Sequence, residues 1–109
     1  MHELSITQSV VDAVLDRLPD TRIAGVQLEI GKLSGIVADS VRFCFDLVVA
    51  GTLLEGARLD IDEPGGRARC AECDTEFDVD DLILLCPCGS ANVAVLTGQQ
   101  LRIRSVEVV

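Results

Sequence analysis

Along residues 4–18, Val11, Val14, Leu15 and Leu18 recur at helical spacing, with Leu4 one heptad before Val11. Pro19-Asp20 ends this first helix, since proline removes a backbone donor and clashes with the preceding turn. Its start has two readings: Ser5 with Gln8 three residues later forms a capping box, while hydrophobicity lets the helix begin nearer Glu3. Val26, Leu28 and Ile30 then alternate with Gln27 and Glu29, which predicts a strand with one dry face and one wet face. Gly31 and Gly35 bracket a turn. Asp39 is placed to cap a second helix, in which Val41, Cys44, Phe45 and Val48 line one face before Gly51 stops it. On that stripe Cys44 reads as a small core hydrophobe rather than a ligand.

A second strand over 58–63 buries Leu59 and Ile61, and Pro64-Gly65-Gly66 marks a boundary. The last strand, over 101–108, alternates at Leu101 and Ile103, then shifts phase to Val106 and Val108, which predicts a bulge near Ser105. Because residues 65–98 leave and re-enter between these two strands, the simplest arrangement pairs them antiparallel. Asp60 and Asp62 then face Arg102 and Arg104. This divides the chain into a body of residues 1–64 plus 99–109 and an inserted module of residues 65–98.

Cys70, Cys73, Cys86 and Cys88 give that module its chemistry. Four soft ligands on two short arms match the tetrahedral thiolate set that zinc prefers. Cys70-Ala71-Glu72-Cys73 is a regular CxxC knuckle; in Cys86-Pro87-Cys88 only one residue separates the sulfurs, and Gly89 can supply the positive φ that so tight a turn needs. A disulfide-stapled secreted module and a redox CxxC are the rivals. An odd count of five cysteines, no hydrophobic leader and no βαβ pattern around Cys70 speak against both. The module is too short for a sufficient core of its own, and a structural metal is the usual remedy. The expected fold is therefore α+β, two helices packed on a small three-stranded sheet with an inserted four-cysteine zinc ribbon.

Composition narrows the functions. At 109 residues the chain supports about one domain with a small appendage. No apolar run approaches the roughly 18 residues of a membrane helix. A net charge of -9 with nine Lys and Arg argues against nucleic acid. Half of the eighteen acids lie between Asp60 and Asp81, which suits either a basic protein surface or plain solvation. A Ser/His/acid triad would have to use His2, and a P-loop is missing, so no catalytic constellation is present.

The only histidine, His2, stands beside the amine of Met1 and the carboxylate of Glu3. The amine, the backbone nitrogen of residue 2 and the imidazole can close consecutive chelate rings in the nitrogen-rich square geometry that suits Ni(II) or Cu(II), provided nothing precedes Met1. The other reading is a solvated terminal histidine. Carboxylates nearby offer transient ligands, with Asp39 a candidate by charge.

The opening Met1-His2-Glu3-Leu4-Ser5-Ile6 resembles the start of the HypA family of nickel metallochaperones. The likeness continues through Ile30-Gly31-Lys32-Leu33-Ser34, Phe43-Cys44-Phe45, Gly51-Thr52, Glu55-Gly56-Ala57, the cysteine module with Phe77, and residues 98–108. The resemblance implies nickel held at the N-terminus through Met1 and His2, with Glu3 adjacent, and structural zinc in Cys70, Cys73, Cys86 and Cys88. It also implies delivery to the large subunit of nickel-iron hydrogenase together with the GTPase HypB and, in some organisms, service to urease; the missing signal and the thiolate cluster predict a cytoplasmic location. One departure stands out: the family's second arm is normally CPxCGS, whereas Cys86-Pro87-Cys88-Gly89-Ser90 lacks the intervening residue. A zinc-ribbon interaction adaptor without nickel transfer, and a thiol oxidoreductase using Cys70 and Cys73, are the alternatives.

Overall fold

The computed structural model describes residues 2–109; Met1 and the His2 side chain lie outside that description. The elements are α1 (His2–Arg17), β1 (Ile23–Ile30), α2 (Ala38–Val48), β2 (Arg58–Asp62), β3 (Gly66–Cys70), β4 (Glu76–Val79), β5 (Val93–Thr97) and β6 (Leu101–Val108). They form two three-stranded sheets, β2-β1-β6 and β4-β3-β5. No helix among the described residues is long and apolar enough to cross a membrane.

The chain divides into two compact units, one of residues 1–28, 36–61 and 102–109 and the other of residues 29–35 and 62–101. In the first, α1 contributes Val11 and Val14, α2 Phe45 and β1 Ile23 and Val26 to a core completed by Val49 and Leu54, with Leu15, Leu18, Leu59, Ile103 and Val106 packed against it. The helix begins near Glu3, as its hydrophobicity allowed, and Ser5 lies inside it. Thr7 occupies the buried stripe instead of Leu4, which is 50% exposed. Burying Thr7 is cheap because its hydroxyl donates to the Glu3 carbonyl at 2.6 Å.

Three expectations about the sheet and the second helix are corrected. β1 stands between β2 and β6, so the outer strands do not pair, and Asp60 and Asp62 do not face Arg102 and Arg104 across a shared ladder. One ion pair that spans this sheet joins Arg58 to Glu107 at 2.7 Å. It passes over Gly25, where a Cβ would collide with the Arg58 guanidinium. Second, Ile103 and Val106 both pack on the core although three residues apart, and Ser105 meets Gln27, so the phase shift is present, but Leu101 and Val108 are left exposed. Third, Asp39 does not cap α2. Val37 is its N-cap residue, with no side-chain cap, and Asp39 sits in the first turn paired with Arg42.

The second unit is larger at its N-terminal side than the glycine punctuation suggests. Residues 29–35 join it because Gly31 donates to the Gln100 carbonyl, Lys32 to that of Pro64 and Leu33 to that of Gly98. Leu33 then packs with Ala68 and Val79 in the only apolar cluster this unit shows among the described residues. Glu29, expected on a wet face, is 3% exposed, and its carboxylate accepts from Gln100 Nε2 at 3.0 Å. On the β4-β3-β5 sheet Arg67 lies opposite Asp78 and Arg69 opposite Glu76, so part of the acidic stretch is matched by the neighbouring strand.

Phe45→Ala should cost about 3 to 5 kcal/mol, because it empties a site that is 2% exposed, whereas Phe43→Ala on the same helix, 70% exposed, should change stability by about 0.5 kcal/mol or less. Urea midpoints followed by the helical signal compare the two.

Candidate metal centre

The cysteine arms are built by the sheet beneath them. Cys70 closes β3, its N–H donating to the Thr75 carbonyl while its carbonyl accepts from Asp74 N–H, both at 2.9 Å. This turns the chain through Asp74, a non-glycine residue at φ 61, and delivers Cys73 beside Cys70. The second arm is closed by Cys86 N–H to the Ser90 carbonyl at 2.9 Å and Gly89 N–H to the Cys86 carbonyl at 2.8 Å. Gly89 takes φ 95, which is how one residue between the sulfurs suffices.

These two turns bring Cys70, Cys73, Cys86 and Cys88 together, their Sγ atoms all within 4.8 Å of one another. The closest cross-arm approaches are Cys70 to Cys88 at 3.7 Å and Cys73 to Cys86 at 3.6 Å. A tetrahedral ion with metal–sulfur bonds of about 2.3 Å sets its ligands about 3.8 Å apart, so the donor set fits a metal ion and the short arm does not prevent it. Cys70 and Cys86 are buried, Cys73 and Cys88 exposed. The set is closed: four sulfurs leave no vacant position for a reacting molecule. Sequence reasoning missed Thr75, whose Oγ1 lies 3.3 Å from Cys73 Sγ. The signal was there, a hydroxyl residue two places after a ligand.

Hydrogen bonds and burial set the acidities of the sulfurs apart. Cys73 is lowered to about 6, chiefly by hydrogen bonding from the Thr75 hydroxyl and backbone. Cys70 is also lowered, first by the Cys73 N–H. For Cys86 the Cys88 N–H pulls downward, but burial and the adjoining sulfurs outweigh it and push the thiol up to about 12.

At the other terminus, Met1 and the His2 imidazole lie outside the described residues. Glu3 is placed: its Oε2 accepts from the Val37 N–H, the N-cap residue of α2, at 3.3 Å. With Leu4, Asp39, Ser40, Phe43 and Cys44 it lines a cleft of about 360 Å³. Glu3 and Asp39 are thus brought to one cleft, and Cys44, half-buried there, is less enclosed than its place on the apolar stripe suggested.

Comparison with known proteins decides what these features belong to. The family described as hydrogenase/urease nickel incorporation, metallochaperone, hypA matches residues 1–108. The hydrogenase maturation factor HypA of Geobacter sulfurreducens is 49% identical over 109 residues, covering 99% of each chain. The chain belongs to the HypA family. HypA of Nostoc punctiforme is 44% identical over 108 residues, covering 99% of this chain and 96% of that protein. The solution structure of the Ni metallochaperone HypA from Helicobacter pylori shares the fold, with a TM-score of 0.65 at 23% identity over 97% of this chain and 96% of that one. HypA proteins are maturation factors rather than enzymes, which agrees with a closed sulfur site.

Because Cys86 is protonated at neutral pH, metal uptake by the four cysteines must expel its proton, whereas Cys73 is mostly ionised above pH 6. Apparent affinity should therefore rise with pH and fall more steeply once Cys73 also takes up a proton. Zinc competition against a chromophoric chelator on both sides of that point tests this; an affinity independent of pH would contradict it.

Proposed function

We propose that this protein carries Ni(II) at its N-terminus and delivers it to the large subunit of nickel-iron hydrogenase in concert with the GTPase HypB, with Zn(II) held structurally by Cys70, Cys73, Cys86 and Cys88. The observation that carries the reading is the match to a nickel-incorporation family beginning at residue 1 and continuing to residue 108. The same family description includes urease, so urease maturation proteins are further candidate recipients.

The chemistry of the two donor sets supports a division of labour. Four thiolates suit zinc, a closed and redox-silent ion that shapes its surroundings. The Met1 amine, the backbone nitrogen of residue 2 and the His2 imidazole suit nickel. A cargo ion has to be released, and a chain end meets that need because its ligands can be withdrawn one at a time while the core around Phe45 stays packed. Glu3 is the adjacent carboxylate, already engaged with the Val37 N–H, and Asp39 shares its cleft, so nickel in hand-over would meet two oxygen donors there. Residues 1–64 plus 99–109 then serve as the nickel-binding part and residues 65–98 as the zinc-binding part, with residues 29–35 packed into the latter's unit.

Two measurements test this. Ni(II) titration of protein with a free Met1 amine should show a tight site that is lost in His2→Ala and in protein carrying an extra residue before Met1. Unchanged binding in either would leave only the interaction-adaptor reading. Separately, structural zinc typically supplies an apparent ~10 to 16 kcal/mol to a fold of this size, so chelation should abolish the amide signals of β3, β4 and β5 while those of α1 and α2 persist. Retention of all of them would reject the structural role.

A further inference from the structure

We infer that Cys88 is the gate of the four-cysteine site, the ligand that lets go first when the metal is exchanged. The inference rests on the zinc reading of that site and goes beyond it by ranking the ligands.

The four sulfurs are supported unequally. Cys70 Sγ accepts the Glu72 N–H at 3.3 Å, and Cys86 Sγ accepts the Cys88 N–H at 3.4 Å; both cysteines are also buried. Cys73 is exposed but has Thr75 Oγ1 at 3.3 Å. Cys88 is exposed, and among the described residues no N–H or O–H reaches its sulfur, whose polar neighbours are the other sulfurs, Cys70 Sγ at 3.7 Å among them.

The difference follows a local pattern. Each of the other three cysteines is served by the residue two places on: Glu72 for Cys70, Thr75 for Cys73 and Cys88 for Cys86. For Cys88 that residue is Ser90, whose carbonyl accepts the Cys86 N–H and whose Oγ accepts the Asn92 N–H, and among the described residues no hydrogen bond joins it to the Cys88 sulfur.

Donors to a metal-bound thiolate draw charge from the sulfur and fix its orientation; their loss typically costs about ten- to a hundredfold in metal affinity and leaves the sulfur more nucleophilic. A bare, solvent-reachable thiolate is the one that protons and electrophiles capture first. With a metal held by the four cysteines, Cys88 would be the ligand released: its sulfur would keep the electron pair of the broken bond and take the proton of the incoming donor, whose freed lone pair would fill the vacated position while Cys70, Cys73 and Cys86 retain the ion.

The test uses full-length protein carrying Cys44→Ala, to silence the remaining thiol, loaded with Zn(II) and treated with limiting N-ethylmaleimide. Mass spectrometry under native conditions selects molecules bearing a single adduct, and fragmentation locates it. Cys88 should be labelled about tenfold faster than Cys73 despite their shared exposure, and Thr75→Val should raise Cys73 to the rate of Cys88, with Thr75→Ser restoring the difference. Equal labelling, or Cys73 first, overturns the inference and leaves the zinc reading standing. Failure to take up zinc overturns both.

Discussion

Four sulfurs held within 4.8 Å of one another repel as they ionise, and the second unit depends on resolving that conflict. Its apolar cluster of Leu33, Ala68 and Val79 is too small to dominate the balance. Their acidities differ: the Thr75 hydroxyl and backbone lower Cys73 to about 6, while burial and the adjoining sulfurs push Cys86 up to about 12 against the pull of the Cys88 N–H. A divalent ion would remove that conflict, turning the repulsion into four attractive bonds and drawing both arms of the β4-β3-β5 sheet onto one centre.

The first unit works by different means. Phe45, Leu54, Val11 and Val26 form an ordinary packed core, so this part needs no metal to hold its shape. That frees its N-terminal edge for chemistry. Glu3 stands in the first turn of α1, and its carboxylate is fixed by the backbone at the start of α2, so α1 and α2 are joined next to the proposed nickel ligands.

Much of this was legible in the residues. Helical periodicity placed Val11, Val14, Val41 and Phe45 correctly, and the spacing of the cysteines marked out the metal centre, because both signals are local. What escaped was non-local. Whether β1 stands between β2 and β6 is decided by which edge each strand joins, and no residue of β2 encodes that. Glu29 reads as wet by alternation, yet Gln100, far along the chain, accepts the task of satisfying it. The pairing of Arg58 with Glu107 needed the bare backbone of Gly25 between them, and the grouping of residues 29–35 with the second unit needed Leu33 to find Ala68. The short arm was visible as a departure, but its workability depended on the turn at Gly89.

The central claim is that donor chemistry sorts two metals within one chain, sulfur taking zinc and terminal nitrogen taking nickel. X-ray absorption at both metal edges, on protein carrying one equivalent of each ion, addresses it most directly. The zinc edge should report four sulfur neighbours at about 2.3 Å, and the nickel edge light nitrogen and oxygen neighbours alone. Sulfur in the nickel shell, or nitrogen and oxygen replacing sulfur around zinc, would contradict the account.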